Sequence, residues 1–307
     1  MATPRKIPAF MGTNYASTPK GAKAAFFGAP HGTPYKGIDN RPHAKAADSF
    51  RLALKDDIPW LEHWDFDFGG PLLPDTKFKA VDLGNLPTKP LDGRGNRKKI
   101  ETQTANILSE GAVPIMFGGD DSTPIPFINA FSGGAPLTIL QIDAHIDWRE
   151  ERYGERFGYS STMRRASEMP HVWRIVQAGA HGMGSARQTE VETAAEWGAH
   201  IIPSHTIHHR GIDQVIAHIE PESACLISLD LDVLDCTVMP AVAHPSPGGL
   251  SFLQVTDIIA AVAAKARIAG FTMVEFVPGR DPLGIAAHVA ARIAAHVLNH
   301  VTRQGIK

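Results

Sequence analysis

Leu137-Thr138-Ile139-Leu140-Gln141-Ile142-Asp143-Ala144-His145-Ile146-Asp147-Trp148-Arg149-Glu150 begins as a short apolar, β-branched run and ends in charge. An apolar run of this length, bounded by polar residues, reads as a strand buried on both faces of a parallel sheet. Asp143, His145 and Asp147 follow at spacing two. A backbone that stays extended past the strand would aim all three to one side. Two carboxylates and an imidazole crowded together repel and desolvate one another unless a cation sits among them. That donor set suits a divalent ion of borderline hardness, such as Mn, Zn, Ni or Fe. Taken alone, the stretch equally allows Asp143 as a helix cap and His145 as a solvated loop residue.

Two further stretches repeat the design. Cys225-Leu226-Ile227-Ser228-Leu229 runs into Asp230-Leu231-Asp232, and Val113-Pro114-Ile115-Met116-Phe117 runs into Gly118-Gly119-Asp120-Asp121-Ser122. Three apolar strands thus each deliver carboxylates at their carboxyl ends. In an open α/β sheet those ends lie along one edge, where ligands bind. Several uncompensated carboxylates at one edge are costly, so a pair of metal ions is the economical explanation.

The 307 residues, 43% of them hydrophobic with a formal net charge of -2, suffice for one large α/β domain. The near-neutral balance gives no electrostatic footprint for nucleic acid or an anionic membrane. Cys225 and Cys236 cannot make a disulfide framework and read as reduced thiols in a cytoplasmic protein. No apolar run is long enough to span a membrane, and the polar, proline-containing start does not resemble a signal peptide.

Residues 1–21 lack periodicity and read as an N-terminal arm, mobile or laid on a neighbouring subunit; residues 22–307 read as the domain. Strands are expected at Ala24–Ala29, Phe78–Leu83, Val113–Phe117, Val172–Ala178, His200–Ile202 and Phe271–Val277, and also at Trp60–Gly70, where Trp64, Phe66 and Phe68 alternate. Helices are expected at Ala44–Leu54, Asn96–Gly111, Thr189–Trp197, Ile212–Ile219, Ser251–Ile268 with Ser251 as N-cap, and Gly284–His300. This alternation of strands and helices argues for a parallel sheet covered on both faces.

The three acidic blocks, in this order and separation, resemble the signature blocks of the ureohydrolases, the arginase and agmatinase superfamily. Val274-Glu275-Phe276-Val277-Pro278 with Asp281, and Pro247-Gly248-Gly249-Leu250, resemble two further blocks of that family. The resemblance runs from about Ala24 to His300. It implies a three-layer α-β-α sandwich with a mostly parallel sheet of about eight strands. It also implies two divalent ions, manganese or nickel, and a hydroxide shared between them that cleaves a C–N bond of a guanidino or amidine substrate. Carried over, Asp143 and Asp230 bridge the ions. Asp121 and Asp147 complete the first site, His145 and Asp232 complete the second, and Glu275 holds the substrate guanidinium in a forked pair. Family members are commonly trimers or hexamers, so a hexamer is expected.

Two positions depart from the family's pattern. Its first block reads Gly-Gly-Asp-His, and Asp121 stands where that histidine ligates; the first site becomes all oxygen and harder in metal preference. Where the family has a proton-shuttling histidine, this chain has Ser160-Ser161, and serine does not titrate near neutral pH. His244, in Ala243-His244-Pro245, is the expected replacement in the substrate pocket, while His31 and His181 lie in other loops that follow strands. Two readings stand at this point. One is an agmatinase-like hydrolase of a substituted guanidine or biguanide; the other is a catalytically impaired subunit supporting an active paralogue in a heteromeric hydrolase.

Overall fold

A computed structural model describes residues 7–74 and 77–304. Among the described residues, nine strands form one sheet: β1 (Asn14–Tyr15), β2 (Ala24–Ala29), β3 (Ala80–Asn85), β4 (Val113–Gly118), β5 (Leu137–Ile142), β6 (Val172–Ala178), β7 (His200–Ile202), β8 (Ala224–Asp230) and β9 (Arg267–Val274). Their order is β1-β3-β2-β4-β9-β8-β5-β6-β7, and every strand pairing is parallel. The expectation of a mostly parallel, roughly eight-stranded sheet in three layers therefore holds.

Alternation along each strand divides the core into two. Phe26, Ile115, Phe117, Leu140 and Ile142 point to one face, where they meet the helices Ala46–Ala53, Phe252–Lys265 and Ile285–Arg303. Phe27, Met116 and Ile139 point to the other, against Gly93–Ser109, Pro124–Asn129 and Gln188–Trp197. Burial on both faces is why these strands read as unbroken apolar runs. The helix Phe252–Lys265 starts at a capping box: Gln254 N donates to Ser251 Oγ at 3.2 Å, and Ser251 N donates to Gln254 Oε1 at 3.0 Å.

Four expectations need correction. Residues 1–6 of the expected arm lie outside the described residues, but residues 7–21 are packed on the domain. Phe10 is fully buried, its ring 4.9 Å from those of Phe26 and Phe117, and β1 pairs with β3. A two-residue strand and one aromatic anchor are too short to show as periodicity. Trp60–Gly70 is not a strand. It forms a turn closed by a bridge between Asp65 and Gly70, with Trp64 and Phe66 exposed. Asp65 and Asp67 at spacing two clamp Arg292, at 2.7 and 2.5 Å, so an ion pair rather than a ladder sets this segment. The helix expected at Ile212–Ile219 is shortened to Asp213–Ile216 and preceded by Ser204–Arg210, the two separated at Gly211 with φ 81°. The last strand spans Arg267–Val274, so Glu275 stands beyond its end.

Candidate metal centre and substrate cavity

β4, β9, β8 and β5 are consecutive in the sheet. Because all run the same way, Asp121, Glu275, Asp230 and Asp143 emerge side by side at the carboxyl edge. After β4 the chain must pass close under Pro30: a Cβ on Gly119 would lie 2.6 Å from the Pro30 carbonyl oxygen, so only glycine fits. Asp120 is taken up by its own neighbours, accepting from Asn40 Nδ2 at 2.7 Å and from Ser122 N at 3.0 Å.

The convergence at the other two blocks is not made by extended chain. His145 N donates to Asp143 Oδ1 at 2.6 Å, and Asp232 N donates to Asp230 Oδ1 at 2.8 Å. Each block thus folds into a tight side-chain-closed turn directly after its strand. Asp147 sits at φ 45°, in the left-handed region that an aspartate occupies only under constraint. Turns bring together the groups that the spacing singles out.

Ligand atoms of Asp121, Asp143 and Asp230 lie within 4.8 Å of one another, as do those of Asp143, His145 and Asp232. Asp143 belongs to both groups. All of these but His145 are buried. Burial first, and then neighbouring carboxylates, hold Asp121, Asp147 and Asp230 well above the usual carboxylate range. Burial alone would lower His145. Its hydrogen bonds to Asp143 and Asp232 outweigh that and push it up to about 12. Asp121 Oδ2 is buried with no hydrogen-bond partner among the described residues. An orphaned carboxylate oxygen amid other carboxylates is what a cation would satisfy, so the donor set fits divalent ions.

A row of polar side chains beneath the cluster aims its members. Gln141 on β5 lies in register with Gln177 on β6 and Ser228 on β8. Gln141 Nε2 donates to Asp143 Oδ2 and to Asp147 Oδ2, both at 2.7 Å, while Gln177 Nε2 donates to Gln141 Oε1 and to the Ile146 carbonyl. Groups behind a metal ligand orient it in this way.

Beside the cluster, Glu275 is held at φ 66°. Its N–H donates to the Gly119 carbonyl at 2.9 Å, and its Oε1 accepts from Asp121 N at 2.8 Å. Its Oε2 lies 2.9 Å from His43 Nε2, and both side chains are nearly buried. Burial alone would lower His43. The charge and hydrogen bond of Glu275 outweigh it, with help from Asp120, and push His43 up to about 9. The carboxylate expected to receive a guanidinium therefore already faces an imidazolium.

Asp121, His145, Asp147, Ser160, Asp230, Asp232, His244 and Glu275 line one cavity of about 400 Å³, with Asp143 behind them. His244 is exposed at its wall. Ser160 N donates to the Tyr35 hydroxyl at 3.1 Å. His31 is turned to Thr88 instead, at 3.0 Å, and His181 to the Gly179 carbonyl, at 2.8 Å.

Residues 22–299 match the profile of the Arginase family. This chain belongs to the arginase family. It is 27% identical to an agmatinase of Chromobacterium violaceum, over 95% of this chain and 88% of that protein. With N(1)-aminopropylagmatine ureohydrolase of Thermus thermophilus it shares 30% identity, but over only 60% of this chain and 61% of that protein. Proclavaminate amidinohydrolase of Streptomyces clavuligerus superposes with a TM-score of 0.82 at 23% identity, covering 98% of this chain and 99% of that one. That likeness speaks for the fold.

Several residues of this arginase-family cavity carry no sequence signal: His43, Asn40, Arg149, Arg152, Tyr159 and Met183. His43 comes from the loop before the first helix, most of the chain away from Glu275, and no spacing links the two. Arg152 and Tyr159 belong to a charged, glycine-interrupted loop whose composition shows exposure without direction.

Proposed function

We propose that this arginase-family chain hydrolyses a C–N bond of a guanidino or amidine compound at a site for two divalent ions. The observation that carries the reading is Asp143 shared between two donor groups, one of which contains the orphaned Asp121 oxygen. Asp121, Asp143, Asp147 and Asp230 would hold one ion; His145 and Asp232, with the shared Asp143 and Asp230, would hold the other. When bound, such ions ionise a water near neutral pH and stabilise charge developing at a tetrahedral carbon. An all-oxygen first shell favours manganese over nickel there.

The chain's own residues supply the rest. Glu275 binds a planar cation through a forked pair, and His43 with the Asp121 N–H holds that carboxylate in place. Ser160 cannot exchange a proton near neutrality, so His244 at the cavity wall is assigned that task. Assembly into a hexamer, homomeric or shared with a paralogue, and a cytoplasmic setting for the two thiols belong to the same proposal. Among the described residues, no helix is long and apolar enough to cross a membrane.

The test is urea or amine release from guanidino and amidine compounds by the metal-supplemented protein expressed alone. Asp230→Asn is its control. The substitution removes one shared donor charge, so bound metal and activity should fall together. The wild type should melt higher with metal than without, by about 2.7 kcal/mol at a hundredfold excess over Kd, and the variant should lose that gain. Full metal content and activity in Asp230→Asn would contradict the assignment.

A further inference from the structure

Arg152 lines the same cavity as the acidic cluster, yet no carboxylate lies within salt-bridge distance of it among the described residues. It is half-buried in a built setting. Its guanidinium carbon lies 5.5, 5.2 and 5.8 Å from the ring centres of Tyr35, Tyr153 and Tyr159, and its Nη1 donates to the Tyr159 hydroxyl at 3.1 Å. Tyr35 and Tyr159 meet edge to face at 4.8 Å. Tyr35 is pinned from beneath by Gly158, where any Cβ would fall 2.2 Å from its ring, and its hydroxyl accepts from Ser160 N. The three rings hold the cation without neutralising it.

Two other charges on the cavity wall are paired with arginine or glutamate. Arg149 pairs with Glu190 at 3.2 Å, and Asp39 pairs with Arg41 at 2.7 Å. Asp120 is hydrogen-bonded by Asn40 and Ser122, and Glu275 belongs to the substrate's head. A tail bearing a carboxylate would find Arg152 at this wall, a cation with no carboxylate within salt-bridge distance among the described residues. Beyond the cavity, a groove of about 1100 Å³ shares Ile38, Asp39 and Asn40 with it and leaves room for such a tail; Lys36 and Lys89 line it together with Asp92 and Glu155, so its far end is mixed in charge and Arg152 stands at its inner end.

We propose that the site takes a guanidino or amidine compound whose tail carries a carboxylate, with Arg152 as the tail's partner. This rests on the hydrolase reading above. Arg152 is the specificity-determining residue, and forked guanidinium-to-carboxylate recognition is the interaction.

The experiment uses the metal-supplemented full chain and three probes of equal chain length: 4-guanidinobutyrate, agmatine and butylguanidine. Calorimetric binding and product release are both read. The acid should be preferred over the amine and the neutral compound by roughly ten- to hundredfold in kcat/KM, carried mainly by KM. Arg152→Gln should erase that preference, Arg152→Lys should retain part of it, and Arg152→Glu should turn it toward agmatine. Equal use of all three probes, or a preference unchanged in Arg152→Gln, would overturn the tail assignment and leave the hydrolase reading standing. Failure to bind or cleave any of them would overturn the hydrolase reading, and this inference with it.

Discussion

Asp121→Ala should reduce product release from the metal-supplemented protein by roughly a thousandfold or more, about 4 kcal/mol of transition-state stabilisation. It should leave the fold intact and raise the melting temperature of the metal-free chain. The two effects share one cause. Asp121 is buried among Asp143, Asp147 and Asp230, and its Oδ2 has no partner among the described residues. Without a cation that carboxylate costs stability through burial and like-charge repulsion; with one it is a donor. Removing it relieves the first and destroys the second. Asp121→His, which restores the family's first block, should keep or raise metal occupancy. Calorimetry with and without manganese, alongside rates, separates the variants. A wild type active alone and unaffected by Asp121→Ala would contradict the ligand role. A wild type active only when a second ureohydrolase subunit is co-expressed would favour the supporting-subunit reading instead.

Glu275→Gln should lower kcat/KM between a hundred- and a thousandfold, roughly 3–4 kcal/mol, because it removes the charge of a desolvated pair with a cationic head group. His43→Asn tests the same pair from the other side. His43 stands at about 9 in the folded protein against 6.5 for an unperturbed imidazole. A raised histidine pKa stabilises the fold fully below about pH 6.5 and loses that contribution as pH climbs through about 9. His43→Asn should therefore lower the melting temperature most near pH 6, with a shortfall on the order of 3 kcal/mol that fades by pH 10. It should also change the pH dependence of KM, since Glu275 would meet its substrate without a competing imidazolium. Thermal melts at several pH values check it; a pH-independent shortfall would mean that His43 acts by packing alone.

Much of this could be read from the chain, for identifiable reasons. Ala24–Ala29, buried along its whole length, is an unbroken apolar run and appears with its bounds intact, as do the partly exposed Val172–Ala178 and His200–Ile202, which turn signals bracket. Parallel direction then forces their ends to one edge, and the acidic residues mark which edge. Local spacing could not show how the blocks converge: side-chain-closed turns at Asp143 and Asp230, not extended chain, do it. Nor could it show the long-range partners. His43 on Glu275, Gln177 behind Gln141 and the tyrosines around Arg152 are neighbours only because the sheet order places their loops together. Trp60–Gly70 misled because alternating aromatics mimic a half-buried strand, whereas Asp65 and Asp67 in the same stretch were committed to Arg292.

If Asp143 serves two divalent ions, as proposed, the loaded chain should hold both. Elemental analysis of the wild-type chain, loaded with manganese and freed of excess by gel filtration, tests it most directly. Two ions per chain are expected, with fewer in Asp230→Asn. A wild type that carries none after loading would contradict it.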